Sequence, residues 1–159
     1  MEAARDARDR VAMVTGGGRG IGLEIARALL ASGARVAVLG RDATALKDAA
    51  AALDPSGRRV LTAVCDVREP DAIDEAVGRT LRAYGRIDVL VANSGIAGPT
   101  APLWETPPER WRQAIETNLI GAALCARAVL PHMIARRSGS IVFVGSMTGK
   151  RPLWGRTSY

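Results

Sequence analysis

The sequence predicts a doubly wound α/β fold, a parallel sheet with helices on both faces, and three observations carry that expectation. Short apolar runs alternate with helix-period segments four times and end on a fifth run. The runs are near-continuous in apolar residues rather than alternating, the pattern of strands buried on both faces. A glycine-rich turn joins the first run to the first helical segment. Strand-helix repeats of this kind imply parallel strands joined by right-handed crossovers.

Taken in order, Val11 to Val14 reads as the first strand, and the turn spans Gly16 to Gly20. Ile21, Ile25, Ala28 and Leu29 then share one face of a helix ending near Gly33. Arg35 to Leu39 is the second strand; Leu46, Ala49, Ala50 and Leu53 stripe the second helix, closed by the Asp54-Pro55-Ser56-Gly57 turn. Val60 to Val64 is the third strand, and Ile73, Val77 and Leu81 mark a third helix with Gly85 as its expected cap. Ile87 to Ala92 is the fourth strand, followed by a Pro-rich loop from Gly95 to Pro108. Thr106-Pro107-Pro108-Glu109 has the form of a capping box with Pro107 at the first helical position. It opens a long helix through Trp111, Ile115, Leu119 and Ala122 to about Arg137, with a kink expected at Pro131. Ser140 to Val144 is the fifth strand, and Gly145 to Tyr159 reads as loop. Residues 1–10 are thus an N-terminal extension, and 11–159 form one domain.

Composition narrows the classes. The 159 residues are 48% hydrophobic and 24% charged, which excludes a disordered chain and is ample for one core. No apolar run approaches the ~20 residues of a membrane span, and the start, MEAARDARDR, lacks the apolar stretch of a secretory signal. Cys65 and Cys125 lie far apart without a CxxC or a nearby His pair, so two reduced core thiols in a cytoplasmic protein are expected, with no metal site. The single histidine, His132, excludes chemistry needing two imidazoles. The net charge is +6, but the arginines are scattered and form no basic stripe, so nucleic acid is not an expected partner. The tryptophans Trp104, Trp111 and Trp154 are expected to pack or to line a substrate loop.

The most informative stretch is Thr15-Gly16-x-x-x-Gly20-Ile21-Gly22, set between a strand and a helix. A diphosphate docked on a helix N-terminus needs main-chain amides to approach with no Cβ in the way. Glycines at 16, 18, 20 and 22 supply that approach, and Arg19 sits among them. A plain structural turn is the alternative. In a dinucleotide fold, an acidic residue at the end of the second strand binds the ribose hydroxyls. Here that place is Gly40, followed by Arg41. A guanidinium there, with Arg19 as a second candidate, favours the 2′-phosphate of NADP, with NAD also possible. Otherwise, Arg41 is a solvated residue at a strand-helix junction.

This spacing resembles the short-chain dehydrogenase/reductase family, and later segments agree. Asp66-Val67 after the third strand is similar to the family's adenine-contacting pair. Ala92-Asn93-Ser94-Gly95 resembles its Asn-Asn-Ala-Gly element, departing at the first and third positions, and Asn93 and Gly95 imply packing near the cofactor ribose. Thr117-Asn118-Leu119 on the long helix matches the family's catalytic Asn. Ser146 follows the fifth strand as the catalytic Ser does, and Tyr159 stands where the catalytic Tyr is expected. The resemblance covers residues 11–159. It implies hydride transfer between a nicotinamide and a small carbonyl or alcohol substrate. Ser146 would orient the substrate oxygen, Tyr159 would act as general acid/base, and Asn118 would support a water relay. Taken singly, Ser146 is also readable as a loop hydroxyl, Asn118 as a helix residue and Tyr159 as a terminal aromatic.

The family's Lys, four residues past the Tyr, would be residue 163, beyond this sequence. In the family strand order 3-2-1-4-5, Ile141 to Val144 becomes an edge apolar on both faces, without the charge or Pro that blunts natural edges. The chain is therefore expected to be a fragment with five of seven strands, inactive by itself and prone to self-association, its parent a homodimer or homotetramer. A non-catalytic nucleotide-binding or sensor protein is the alternative class.

Overall fold

Alternate residues of the strands enter two separate cores, which is why the strands read as continuous apolar runs. The structure is a computed structural model describing residues 7–159; residues 1–6 of the expected extension lie outside the described residues. Five parallel strands, β1 (Val11–Thr15), β2 (Arg35–Gly40), β3 (Val60–Val64), β4 (Val89–Ala92) and β5 (Ser140–Phe143), pair in the order β3-β2-β1-β4-β5. On one face, Met13, Ala37, Leu39 and Leu90 pack against α3 (Pro70–Tyr84) and the later half of the long helix. On the other, Ala12, Val14, Val36 and Val38 pack against α1 (Gly20–Ala31) and α2 (Ala43–Leu53). Each fully buried Val, Leu or Ile contributes about 1.5–3 kcal/mol, so the two-sided pattern holds the sheet between its helices. Gly85 closes α3 in the left-handed conformation, as the sequence predicts.

Three local expectations are corrected. The capping box does not form: α4 (Pro108–Ile115) starts one residue later than expected, with Pro107 at the cap and Pro108 in the first turn. The Thr106 hydroxyl instead donates to the Pro102 carbonyl at 3.0 Å. The long helix continues through Pro131 to the end of α5 (Gly121–Ala135), short of the expected Arg137, and holds a π-helical segment, Glu116–Ile120, between α4 and α5. The whole Pro108–Ala135 helix is long and apolar enough to cross a membrane by length and composition alone. Here Cys125, Ala126, Val129 and Met133 of that helix bury one face in the core.

The fourth strand begins at Val89 rather than Ile87, although the Asp88 main chain already donates to the Val11 carbonyl at 2.8 Å and accepts the Ser140 N–H at 2.9 Å, and its side chain adds further bonds. Its Oδ2 accepts the Val11 N–H at 2.9 Å, and Arg86 and Arg136 grip the carboxylate at 2.6 and 3.1 Å. Burial pushes the Asp88 pKa up, but the hydrogen bonds from Arg86, Val11 and Arg136 together outweigh that and hold it below the usual carboxylate range. Asp54 is held at about 2, chiefly by the Ser56 hydroxyl and the Arg59 N–H. Along the sheet edge, Val142, Phe143 and Val144 are exposed, an apolar edge of the kind that pairs with other chains.

A carboxylate with a depressed native pKa stabilises the fold above its unfolded value and loses that contribution as pH falls through the native value. Thermal unfolding of the chain is therefore expected to weaken steeply below about pH 4, the ordinary carboxylate range. Asp88→Asn should lower Tm at pH 7 and flatten part of that acid slope. An Asp88→Asn variant with wild-type Tm at pH 7 would contradict the assignment.

Candidate functional site

The strand order reverses between β1 and β4, and a cleft of ≈ 1220 Å³ opens there beyond the strands' carboxyl ends, the place where open α/β sheets bind ligands. Its floor is the glycine turn. Gly16 (φ +63) and Gly20 (φ +57) take the left-handed conformation, which side chains other than glycine rarely adopt. Gly22 is glycine for a different reason: a β-carbon there would collide with the Gly16 carbonyl oxygen and lie 2.5 Å from Asn93 Nδ2. Gly18 and Gly20 meet no such crowding from protein, with nothing within 4 Å of a β-carbon at Gly20 and nothing nearer than 3.5 Å at Gly18. The α1 N-terminus carries no side-chain cap, and a helix end of this kind presents N–H groups to an anion. Together these features fit the diphosphate of a dinucleotide.

The turn is fastened to β4 by a polar clasp. The buried Thr15 hydroxyl accepts the N–H groups of Asn93 and Ser94, both at 2.9 Å, and Asn93 Nδ2 donates to the Thr15 carbonyl at 2.9 Å. Thr15 is 1% exposed and is absent from the cleft wall, whereas every other residue singled out from the sequence lines it. Among the described residues, Arg41 makes no ion pair and is exposed at the rim, as is Arg19. Asp42, next to Arg41, also lines the cleft, but its Oδ1 accepts the N–H groups of Thr44 and Ala45 as the cap of α2. Asp66 is gripped by Arg68, with Nη2 and Oδ2 2.6 Å apart. That hydrogen bond is the main cause holding its pKa below the usual range, and the Arg41 charge adds to it. Val67 is buried beneath Gly121 of the long helix, where a β-carbon would lie 2.7 Å from its side chain.

Asn118 sits in the π-helical segment and pairs with the Ile96 backbone in both directions. Its Oδ1 accepts the Ile96 N–H at 2.8 Å and its Nδ2 donates to the Ile96 carbonyl at 2.9 Å. One donor N–H and one acceptor position of the side-chain amide are thus taken by backbone. Ser146 follows β5, and its Oγ accepts the Thr148 N–H at 3.2 Å and the Thr148 hydroxyl at 2.9 Å. With acceptor capacity used, the Ser146 proton is the part of the hydroxyl left to donate. Tyr159 is 47% exposed in the same cleft wall. Cys65 also lines the cleft, but burial pushes its thiol up to about 11 and that of Cys125 to about 12, so neither is a thiolate near neutrality.

Sequence reading missed Asp42, Ile96, Ala97 and Thr148 as cleft residues. Asp42 was legible as a helix cap, because an Asp directly precedes the apolar periodicity of α2; the other three carry no signal of their own. Trp104 and Trp154, at 84% and 78% exposure, stand away from the cleft, and neither packs as expected. The buried Trp111 indole N–H has no hydrogen-bond partner among the described residues.

Comparison with known proteins places this geometry. The family model for short chain dehydrogenase matches residues 10–159. The chain is 45% identical over 141 residues to cis-4-hydroxycyclohexanecarboxylate dehydrogenase of Sinomonas cyclohexanicum, covering 89% of this chain and 56% of that one. It is 40% identical over 152 residues to a 3-oxoacyl-[acyl-carrier-protein] reductase of Chlamydia muridarum, covering 95% and 61%. Among solved structures, NAD+-bound xylitol dehydrogenase superposes with a TM-score of 0.93 at 31% identity, over 98% of this chain and 60% of that one. A metagenomic short-chain oxidoreductase in complex with NADP gives 0.90 at 37% identity, over 97% and 70%. The chain therefore spans little more than half the length of the curated relatives it matches.

Gly22→Ala is expected to destabilise the fold by about 1–3 kcal/mol, because the new methyl meets backbone that cannot yield. Gly18→Ala is expected to leave stability near wild type, since no protein atom crowds that site. Urea unfolding of both variants checks this, and equal losses would contradict the packing account.

Proposed function

Because the chain belongs to the short-chain dehydrogenase family, we propose that the whole protein is an NAD(P)-dependent oxidoreductase. It prefers NADPH to NADH and interconverts a carbonyl and an alcohol on a small molecule. The preference rests on one observation: Arg41, which makes no ion pair among the described residues, stands at the cleft rim while its neighbour Asp42 caps α2 with its carboxylate. A charge-assisted hydrogen bond to a 2′-phosphate contributes about 1.5–3 kcal/mol, roughly a tenfold to hundredfold preference.

The main-chain amides from Gly16 to Gly22 would hold the diphosphate, and Arg41 with Arg19 the 2′-phosphate. Asp66 and Val67 would face the base, while Asn93 and Gly95 would border the ribose next to the nicotinamide. When bound, the cofactor supplies or accepts the hydride. The charge that develops on the substrate oxygen calls for two protein donors. Ser146 donates its remaining proton to that oxygen as a hydrogen bond, and Tyr159 transfers its phenolic proton to it. A free phenol titrates near ~10, so Tyr159 needs positive charge nearby to act at neutral pH. By the family pattern a Lys four residues beyond Tyr159 supplies it, and residues 1–159 expressed alone are therefore expected to turn over little or nothing. Asn118 supports the water relay of the proton path. The two free, buried cysteines suit a cytoplasmic location, and a homodimer or homotetramer is the assembly this reading carries.

Nicotinamide absorbance over a panel of ketones, aldehydes and alcohols tests the reading with the full-length gene product. NADPH should exceed NADH in kcat/KM about ten- to a hundredfold, Arg41→Glu should reverse that order, and Tyr159→Phe should cut kcat by about a hundredfold or more. Cofactor binding with no turnover on any substrate would instead favour a nucleotide-binding sensor.

A further inference from the structure

The Asp66 carboxylate in the cleft wall is held by a residue that does not itself reach the cleft. β3 ends at Val64, and the Cys65 N–H, donating to the Gly40 carbonyl at 2.8 Å, carries its pairing one residue further. Asp66 then opens a tight turn into α3, its carbonyl accepting the Glu69 N–H at 3.0 Å. Three N–H groups of Arg68 close on the Asp66 carboxylate. The main-chain N–H donates to Oδ1 at 3.0 Å, Nε is shared between Oδ1 at 3.0 Å and Oδ2 at 3.1 Å, and Nη2 donates to Oδ2 at 2.6 Å. An ionised carboxylate offers about four acceptor sites, so three donors leave one, on Oδ2, for a group in the cleft. Asp66 and Val67 line the cleft and Arg68 does not. Among the described residues Arg68 pairs with no other carboxylate.

We infer that Arg68 is a positioning residue for cofactor recognition: its guanidinium fixes the plane of the Asp66 carboxylate and leaves a single acceptor for the 6-amino group of the adenine. This rests on Asp66 facing the base, as proposed above. Adenine carries an N–H donor at its 6-position where other purines carry a carbonyl acceptor, so an acceptor held at that position selects the amine. A carboxylate beside a polyphosphate also needs its charge offset, because like charges repel. Arg68 meets both needs. Its rigid fork matches the carboxylate edge and its charge is permanent, and the pairing keeps the Asp66 carboxyl ionised near neutrality. A lysine ammonium would offset the charge without fixing the plane.

The test measures, by nicotinamide fluorescence on the full-length gene product, the Kd of NADPH and of its hypoxanthine analogue, which has a carbonyl in place of the 6-amino group. Wild type should bind NADPH about ten- to a hundredfold more tightly than the analogue, the range for a hydrogen bond to a charged group. Arg68→Ala should weaken NADPH about tenfold and bring that ratio down to about threefold or less, with Arg68→Lys in between. A purely structural role would weaken both ligands alike and keep the ratio. A folded Arg68→Ala or Arg68→Lys variant with the wild-type ratio overturns the inference, as does unfolding of both. If Asp66→Ala keeps the ratio, the reading of Asp66 as the base contact is what fails. If Asp66→Ala loses it while Arg68→Ala keeps it, the role of Arg68 alone fails. Wild type that binds neither ligand overturns the cofactor reading of the cleft.

Discussion

The closest packing that organises this site is the approach of the first turn of α1 to the end of β1, where Gly22 lies against the Gly16 carbonyl and the Asn93 amide with no room for a methyl group. That approach sets the helix axis against the sheet, and the Gly16 carbonyl it touches belongs to the turn that must present its amides outward. Gly22 therefore links packing and ligand geometry. Its neighbours divide the work differently, since Gly20 faces open space and Gly18 meets only ordinary contact with Ala45.

β1 and β4 flank the reversal of strand order, and their ladder is short, running from Ala12↔Val89 to Val14↔Val91. Side chains extend it at both ends. At the cleft end Thr15 accepts two N–H groups from the residues after β4, and at the far end Asp88 takes the first N–H of β1 while two arginines balance its charge. Asp88 is buried while Arg86 and Arg136 reach solvent, so losing one arginine costs less than the ~3–5 kcal/mol of a fully buried pair. The crevice is thereby set between firmly held strands, and Ser146 and Tyr159 reach it from the chain after β5.

The five strands and the helices were legible because apolar periodicity and glycine placement are local signals, and both agree with the burial seen on each face; the strand order came from the family resemblance alone. The lining of the cleft was legible wherever a motif fixes a residue to the end of a strand, as for Gly16, Asp66 and Asn93. Features decided by contacts between distant segments were not. Thr106 reads as a helix cap, but its hydroxyl finds Pro102. Asn118 reads as a residue for water, yet one donor and one acceptor of its amide are taken by the backbone of Ile96 across the cleft wall. Thr15 opens the glycine motif, and nothing local signals that its hydroxyl accepts the N–H groups of Asn93 and Ser94. The exposure of Trp104 and Trp154 also had no sequence signal, since an indole in a loop reads equally well as packed or as solvated.

The central claim is that main-chain amides of the glycine turn carry the diphosphate of a nicotinamide dinucleotide. Titrating NADPH into the 15N-labelled protein while following backbone amide resonances tests it most directly. The account predicts that the largest shifts fall on residues 16–22, with saturation at the same concentration as the Arg41 side-chain resonance. Saturating NADPH that leaves those amides unmoved, or that shifts only residues remote from the β1–α1 turn, would contradict it.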